Sequence, residues 1–498
     1  MLGWSWWSSL VPSTYSVMEM GHTDLGGGSA AGHDHGTGHS GGQSVAALTG
    51  PQSGDPDVAV ELTAARGTFE LAGGDRIEGY TLNGSSPGPA LEVHQGDLVQ
   101  VTLINADVPD GVTLHWHGVD VPNAEDGVAG VTQDAVAPGE SHVYRFVAED
   151  AGTYWYHSHQ VSHRQVRGGL FGTLVVLPAG GRDEQDVVAA VHTYQGHRTV
   201  NGRTGITTVE TEPGRPVRVR LVNTDNGPLR AWVSGAAFRV VAVDGTDVHE
   251  PTAVRSEGVL VTAGGRLDLL LEEPARVSIR GGAALVLGPR GTDVPEEPEP
   301  PDVLDLLDYG TAVELGFDPD RADRDFRYEI GRRIGFLDGR PGFWWTVNGR
   351  LFPDVPMFHV AEGDVVRMTI TNDSGDVHPM HLHGHHAVVL SRDGVPPPAV
   401  RGGSTRSTSP TGRATRSPSS RTTPASGWTT ATTSTTPATG WWRTWLTPGS
   451  PNRSRSAAST TTRRSDPAPG QRLCRASSAT AMEAATRKSR RGSGTCTS

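Results

Sequence analysis

Short runs in which apolar and polar residues alternate dominate residues 57–178. Examples lie at residues 58–62, 98–103 and 142–146. Such alternation is typical of β-strands with one buried face, because successive side chains point to opposite faces of a sheet. Gly, Pro, Asn and Asp separate the runs, and no long helical period competes with them. The pattern therefore predicts a β-sandwich or barrel rather than a parallel sheet.

The same pattern returns twice further along the chain. Residues 96–105 and 363–372 share the sequence Gly-Asp-x-Val-x-(Val/Met)-Thr-(Leu/Ile)-x-Asn, and residues 214–223 keep its register with Arg215 and Arg220 as departures. An internal repeat of β-sandwich domains explains this recurrence most simply. A chain of 498 residues is also too long for one core, so the sequence predicts three domains of ordinary size.

Composition sets the predicted limits of these units. We expect a disordered Gly/His-rich leader, three domains of which the third is incomplete, an acidic Pro-rich linker and an aberrant Ser/Thr/Arg-rich tail. In that scheme the leader covers residues 1–55, the domains cover 56–180, 186–289 and 305–396, the linker covers 290–304 and the tail covers 397–498.

Charge divides the chain sharply. Residues 401–498 carry 16 Lys/Arg and 2 Asp/Glu, a balance of +14; the whole chain is −12, so residues 1–400 carry −26. The acidic body offers no footprint for nucleic acid, and the basic tail leaves nucleic-acid binding only as a minor alternative.

The two cysteines, Cys474 and Cys496, both lie in the tail, so no disulfide framework supports the body. No apolar run approaches the roughly 20 residues of a membrane span. No signal peptide is visible at residues 1–7, so either the protein is cytoplasmic or the true start lies upstream.

Paired histidines are the candidate chemistry. They occur at 115 and 117, at 157 and 159, and at 381 and 383, the last pair preceded by His378. On a strand, residues i and i+2 face the same side, so each pair projects two imidazoles together. The first and third pairs follow the repeated glycine by 19 and 18 residues, which predicts a single site between the first and third domains. Imidazole suits copper, zinc, iron and nickel, and six or seven of them favour several ions over one zinc ion with three or four ligands.

These motifs resemble those of the three-domain multicopper oxidases, laccase-like copper-dependent oxidoreductases built from cupredoxin domains. The resemblance covers about residues 57–395. It rests on His-Trp-His-Gly at 115–118, Tyr-His-Ser-His at 156–159 with Gly-Leu-Phe-Gly at 169–172, and His-Pro-x-His-x-His-Gly-His at 378–385. It implies an all-β fold of three cupredoxin-like Greek-key β-sandwich domains, and an extracytoplasmic location.

The resemblance also implies copper ligands and a reaction. One-electron oxidation of a small reducing substrate, phenolic or a metal ion, would be coupled to four-electron reduction of O2 to water. Asp126 lies where the family keeps an acidic residue near the trinuclear cluster; it is a candidate proton relay, with a simple turn residue as the alternative. By resemblance, the type 2 and type 3 coppers take His115, His117, His157, His159, His381 and His383, and the type 1 copper takes His378.

The family's fourth motif, His-Cys-His-x-x-x-His-x-x-x-x-Met, is missing, which leaves the type 1 site incomplete. The segment that should carry it, residues 401–498, holds no histidine and is more than half Ser, Thr and Arg. Either this is a natural basic tail, or the reading frame shifts near codons 396–401. When the last base of each codon is read with the first two of the next, codons 426–432 permit Trp-Met-Asp-His-Cys-His. The junctions 435/436 and 440/441 then permit His and Met at the motif's spacing.

We therefore expect a multicopper oxidase by ancestry whose activity is impaired in the chain as written. The alternative is a non-catalytic copper-binding or scaffold protein that kept the same fold. Copper nitrite reductases and two-domain oxidases fit less well, because residues 150–172 contain no cysteine. The pattern predicts no particular oligomeric state.

Overall fold

A computed structural model describes residues 2–10, 14–15, 21–26, 45–272, 274–311, 313, 315–352, 354–360, 363–396 and 462–463. Strands dominate these residues, and the two α-helices among them have six residues each. The predicted all-β fold is therefore confirmed. No helix in this part of the chain is long and apolar enough to cross a bilayer.

Parts of the leader have defined places against the third domain. Its elements are α1 (Leu2–Trp7), β1 (Thr14–Tyr15), β2 (His22–Asp24) and a 3-10 turn at Val45–Ala47. The indole Nε1 of Trp6 donates to the Gly339 carbonyl at 3.0 Å, and β2 pairs with a strand at Pro356–Phe358. The third domain thus provides hydrogen-bond partners for α1 and β2, while the Leu48 carbonyl accepts from the Ala124 backbone of the first domain at 3.0 Å.

The first domain packs two four-stranded sheets around one core. Their orders are β4-β3-β6-β8 and β5-β10-β9-β7. Inward-facing aromatic side chains fill the space between them; Trp116, Tyr144 and Phe146 are each at most 1% exposed. The elements are β3 (Val58–Glu70), β4 (Arg76–Leu82), β5 (Leu91–His94), β6 (Leu98–Asn105), β7 (His115–His117), β8 (Ser141–Val147), β9 (Gly152–His157), α2 (Ser162–Arg167) and β10 (Phe171–Leu177), with a 3-10 turn at Asn123–Glu125.

The second domain also consists of two packed sheets, and each of them has more strands than those of the first domain. A seven-stranded sheet has the order β13-β12-β11-β15-β20-β17-β18, and a five-stranded sheet has the order β14-β22-β21-β16-β19. The strands are β11 (Gln185–Tyr194), β12 (His197–Val200), β13 (Arg203–Thr204), β14 (Ile206–Glu210), β15 (Val217–Asn223), β16 (Leu229–Ser234), β17 (Phe238–Val243), β18 (Thr246–Asp247), β19 (Gly258–Val261), β20 (Arg266–Leu271), β21 (Ala275–Ile279) and β22 (Ala283–Gly288).

The segment predicted to be a linker lies along the second domain. The Trp232 indole donates to the Glu297 carbonyl at 3.0 Å. The Gly258 backbone donates to the Asp302 carbonyl at 3.0 Å and accepts from the Leu304 backbone at 2.8 Å. These bonds fasten residues 297–304 to the five-stranded sheet, and a 3-10 turn at Leu306–Asp308 follows.

Buried charges join the first two domains. Thr153 of β9 donates its hydroxyl proton to Asp268 at 2.7 Å and accepts from Arg220 at 2.7 Å. Both Arg220 and Asp268 are 1% exposed, and Arg218 also donates to Asp268, at 2.9 Å. Removing one partner of such a buried pair typically costs about 3–5 kcal/mol, because the other charge stays buried without compensation. The strand that carries His157 is therefore held firmly against the second domain.

The third domain repeats the strand pairing of the other two. Its strands are β23 (Arg324–Leu337), β24 (Arg340–Val347), β25 (Pro356–Phe358) and β26 (Val366–Asn372), and its sheet has the order β24-β23-β26. In every domain the repeated Gly-Asp strand pairs in parallel with the first long strand: β6 with β3, β15 with β11 and β26 with β23. The internal repeat seen in the sequence is thus a repeat of topology.

One sheet edge of the third domain is incomplete among the described residues. In the first two domains an antiparallel strand, β8 or β20, covers the outer side of β6 or β15. Within residues 315–396 no strand takes that place beside β26. All of β15 and half of β6 are buried, whereas no residue of β26 is. A two-residue strand, β27 (Thr462–Arg463), pairs with β1 instead; the rest of the tail, including the codons of the suspected frame shift, lies outside the described residues.

Candidate metal centre

Two neighbouring strands of the first domain bring the first two histidine pairs together. Strand β7 runs antiparallel to β9, with His115 opposite His157 and His117 opposite Trp155. The strand alternation turns both histidines of β7 to one side and sends Trp116 into the core, against Tyr144 at a ring distance of 5.7 Å. Register and alternation together therefore place three imidazoles on one face.

The third pair reaches this face from the other end of the chain. Residues 378–387 of the third domain lie beside β7, and His381 and His383 point toward it. The expected strand geometry is wrong for this pair, because residues 378–387 form no strand. His159 likewise follows the end of β9 rather than lying within it. Among the described residues no strand lies on the outer side of β26, so residues 378–387 have no neighbouring strand there with which to form backbone hydrogen bonds.

His115 lies at the centre of the cluster. Its ring centroid is 4.2 Å from that of His383 and between 5.3 and 5.6 Å from four others. His117 stacks on His381 at 3.9 Å, with their planes 13° apart. The structure thus brings together six of the seven predicted ligands, namely His115, His117, His157, His159, His381 and His383.

The nitrogen atoms face one another at distances suited to shared metal ions. The Nε2 atoms of His115 and His381 are 3.2 Å apart, and Nδ1 of His117 is 3.3 Å from Nε2 of His157. Two nitrogens bound to one ion at about 2.0 Å and a tetrahedral angle lie about 3.3 Å apart. Two overlapping sets of three imidazoles, 115/381/383 and 115/117/157, each offer nitrogens within 4.8 Å of one another.

Asp126 orients two of these rings. Its backbone carbonyl accepts from Nδ1 of His115 at 3.0 Å, and its carboxylate lies 3.0 Å from the same nitrogen. The carboxylate also accepts from Nδ1 of His383 at 2.9 Å. Both rings therefore turn Nε2 toward the cluster, which is how carboxylates outside a metal site fix the tautomer of its ligands. Burial alone would raise the pKa of Asp126, but His383 and His115 outweigh it and hold that pKa well below its usual range. Asp126 is therefore a carboxylate and not only a turn residue.

The turn that carries Asp126 depends on a glycine. Gly127 has a φ of +69°, and a Cβ there would lie 1.7 Å from the Leu114 carbonyl oxygen. A side chain would thus push the turn away from β7. This contact explains why a glycine follows Asp126 after the 3-10 turn at residues 123–125. The backbone of Gly127 lies directly against the Leu114 carbonyl, just before β7.

Four of the clustered imidazoles, those of His117, His157, His159 and His381, are neutral at physiological pH because burial lowers the pKa of each. Burial and the neighbouring rings lower the pKa of His157 to about 3, and the same causes hold the pKa values of His159 and His381 well below the usual range. Neutral imidazole is the form that binds transition metals. In addition, Nδ1 of His159 is buried without a hydrogen-bond partner. Such an orphaned lone pair among nitrogen donors fits a metal site.

His378, the seventh predicted ligand, has different neighbours. Its ring meets Trp345 edge-on at 4.5 Å, and its Nε2 contacts the Ser374 hydroxyl. The residue is fully buried, and its Nδ1 has no hydrogen-bond partner. A lone imidazole with a buried free nitrogen fits part of a second, separate metal site.

The cluster opens into a cavity of about 340 Å³ that all three domains line. No sequence motif marks two groups of residues in its wall. One is residues 262–266 of the second domain, including Arg266; the other is the rim, where His386 lies 3.1 Å from the Asp120 carboxylate. The sequence does not predict the second-domain residues of the wall, because none of these wall residues is a histidine or lies in a paired motif.

Two segments of the chain match models of one protein family. Residues 63–180 and residues 332–443 each match a family described as multicopper oxidase. The first segment contains the first two histidine pairs and Asp126, and the second contains His378, His381 and His383. The family match therefore falls on both halves of the cluster.

Curated relatives share the same description. The chain is 48% identical over 99 residues to multicopper oxidase MCE of Talaromyces pinophilus, which is 20% of this chain and 16% of that protein. It is 26% identical over 388 residues to the iron transport multicopper oxidase FET3 of Candida albicans, which is 62% of this chain and 61% of that protein. The chain thus spans between about a sixth and three fifths of the length of these relatives.

A solved structure supports the same relationship. The multi-copper oxidase from Pseudomonas Thermotolerans aligns with a TM-score of 0.53 at 27% identity, covering 66% of this chain and 85% of that one. Sequence segments, relatives and fold agree on one family of copper-dependent oxidoreductases. The chain therefore belongs to the multicopper oxidase family.

Proposed function

We propose that the six clustered histidines hold a type 2/type 3 trinuclear copper centre that reduces dioxygen. The observation that supports this most strongly is the convergence of imidazoles from the first and third domains around one cavity, with His115 and His381 Nε2 atoms 3.2 Å apart. Six imidazole donors exceed the needs of one ion. They are the donor set for several coppers, to which the all-nitrogen environment is suited.

Copper held by these histidines would supply one-electron redox chemistry for the reduction of O2 to water, which consumes four electrons from a reducing substrate and four protons. The chain's own residues prepare that chemistry. Burial keeps His117, His157, His159 and His381 in the neutral, ligating form. Asp126 sets the tautomer of His115 through its backbone carbonyl and that of His383 through its carboxylate. The cavity gives a small molecule such as O2 a path to the rings.

Asp126 is also the group proposed to handle protons. Reduction of O2 to water consumes protons at the cluster, and Asp126 is the carboxylate that contacts two of its rings. The carboxylate lines the cavity together with His115 and His383. We assign Asp126 both roles: it positions the imidazoles and passes protons to the site.

Oxidase activity of the chain as written is proposed to be impaired. A type 1 site needs a cysteine and two histidines, and His378 is the only residue of that set found among the described residues of the third domain. Among the described residues, the outer side of β26 also has no covering strand like β8 or β20 of the first two domains. A non-catalytic copper-binding protein is therefore the second candidate, and these same two observations favour it.

The reducing substrate and the location are proposed from the relatives. Names such as iron transport multicopper oxidase, laccase and L-ascorbate oxidase describe those proteins. For this chain we propose a phenolic compound or a reduced metal ion as electron donor, and an extracytoplasmic location. Residues 1–400 are too acidic to bind nucleic acid through the body.

Replacing Asp126 by Asn tests this function. The amide can turn its NH2 donor toward the ring N–H of His383, so the tautomer of that ring is no longer fixed, and the negative charge beside both rings is lost. The backbone carbonyl still accepts from His115. We expect copper affinity, measured by competition with a chelator of known affinity, to fall about 10–100-fold, the usual cost of losing an outer partner of a metal-binding histidine. In a chain whose reading frame is restored near codon 396, dioxygen uptake should fall together with copper affinity.

The matched control is Glu125→Gln, one residue away. Glu125 is equally buried, but it accepts from the Gly50 and Arg145 backbones and does not line the cavity. Glu125→Gln should lower stability and leave copper affinity unchanged. If the unaltered chain binds no copper, or if both variants weaken binding alike, the proposed centre is wrong.

A further inference from the structure

No histidine of the second domain lines the histidine cavity, yet the loop at residues 262–266 of that domain forms one of its walls. Gly264 in this loop has a φ of +74°, and a Cβ there would lie 2.9 Å from Cε1 of His117. The loop backbone is therefore in close contact with the imidazole. Any movement of this loop would free space into which the His117 ring could turn.

The carbonyl of Gly264 is held from two sides. It accepts from Trp155 Nε1 at 3.2 Å and from Arg266 Nη1 at 3.1 Å. The Trp155 ring in turn lies against two cluster histidines, 4.9 Å from His117 and 4.2 Å from His157 between centroids. One carbonyl thus links the second domain to the ring that supports both imidazoles.

Arg266 uses its whole guanidinium in this junction. Besides the bond to Gly264, its Nε donates to the Thr153 carbonyl at 3.1 Å and its Nη2 donates to the Asp244 carbonyl at 2.8 Å. The side chain is 5% exposed, and the Asp244 carboxylate lies 3.3 Å from Nη1 and balances its charge. Only a planar group with several fixed donors can make these three bonds at once.

The same guanidinium occupies the space beside the residue that follows His117. A Cβ on Gly118 would lie 2.1 Å from Nη2 of Arg266. Arg266 therefore contacts both strands of the first domain that carry cluster ligands, at Gly118 just after β7 and at Thr153 on β9.

We propose that Arg266 is a positioning residue of the metal cluster. It locks the 262–266 loop and Trp155 against His117 and His157, so that both rings keep the orientation in which they bind metal. This inference rests on the proposed copper function. It gives the second domain a role in the site: the domain acts as a clamp through one arginine and does not supply ligands.

The test compares Arg266→Met, Arg266→Lys and Arg218→Met in the full chain. Copper affinity is measured by chelator competition, and the free energy of unfolding by denaturant titration. Arg218 is the control, since it is equally buried and bonded to Asp268 but does not line the cavity. Arg266→Met should weaken copper binding about 10–100-fold, and Arg266→Lys should not restore it, because one ammonium cannot make the three bonds.

Trp155→Phe is a milder variant in case Arg266→Met does not fold. It keeps a ring beside the histidines and removes only the indole N–H that bonds to Gly264, so copper affinity should fall in the same direction. Arg218→Met should lose stability while its copper affinity stays within about threefold of the unaltered chain. The proposal is overturned if Arg266→Met or Trp155→Phe binds copper like the unaltered chain, or if Arg218→Met loses copper equally. Absence of copper binding in the unaltered chain overturns the copper function itself, and this proposal with it.

Discussion

A gene with one base added near codon 396 is expected to yield a protein with a strong absorption band at about 600 nm, produced by a thiolate-bound type 1 copper. The chain as written should show no such band and little or no oxidase activity. The added base shifts the frame so that codons 426–441 can encode His-Cys-His-x-x-x-His-x-x-x-x-Met. The soft cysteine sulfur is the ligand that neither His378 nor any other described residue can replace.

The third domain provides an independent reason to expect this gain. In the first domain the strand covering the repeat strand begins 36 residues after it ends, from Asn105 to Ser141, and in the second domain 43 residues after, from Asn223 to Arg266. The same spacing from Asn372 falls near residues 408–415, within the shifted segment. Restoring the frame should therefore cover β26 and raise stability, because the open sheet edge would be paired and the core of the third domain completed.

The control for this result is the restored chain with Ser in place of the cysteine encoded across codons 430 and 431. That variant should keep the gained stability and lose the absorption band. Absorbance spectra and unfolding curves of the three proteins measure both effects. A strong band in the chain as written, or none in the restored chain after copper loading, would show that the frame-shift account is incorrect.

Replacing His115 by Ala should remove copper from the cluster almost completely. His115 is the ring around which the other five are arranged, and it belongs to both three-imidazole sets. We expect copper affinity to fall by more than about 100-fold, beyond the cost of losing an outer hydrogen-bond partner. Metal analysis after dialysis against a weak chelator measures the loss.

His142→Ala is the control for His115→Ala. His142 lies in the same domain on β8, and its ring contacts Tyr144 at 4.6 Å but no cluster histidine among the described contacts. It should retain the copper content of the unaltered chain. Equal retention by His115→Ala would mean that the copper is held somewhere else, for example by the leader histidines.

The sequence was sufficient to predict the histidine cluster because its geometry follows from local rules. Strand alternation puts His115 and His117 on one face, and the repeat places His381 at the equivalent point of the third domain. The contact between His115 and His381 also requires the first domain to pack against the third, which neither fact determines. Asp126 could be proposed only by resemblance, since its carboxylate bonds depend on a turn fixed by Gly127.

The features that could not be predicted depend on contacts between distant segments. Arg266 carries no motif, and its partners Gly264, Thr153 and Asp244 become neighbours only when the domains pack. The sequence does contain a weak signal for the packing of the first two domains. Arg220 replaces the Thr of the repeated strand, and in the structure it donates to the Thr153 hydroxyl of the first domain. The docking of Trp6 on Gly339 was likewise invisible, because leader composition says nothing about a partner more than 300 residues away.

The most direct test of the account is the position of copper in crystals of the copper-loaded chain, located by anomalous scattering at the copper absorption edge. The account predicts peaks inside the cavity, bounded by nitrogens of His115, His117, His157, His159, His381 and His383. Copper peaks confined to other histidines, with the cavity between the first and third domains empty of metal, would contradict it.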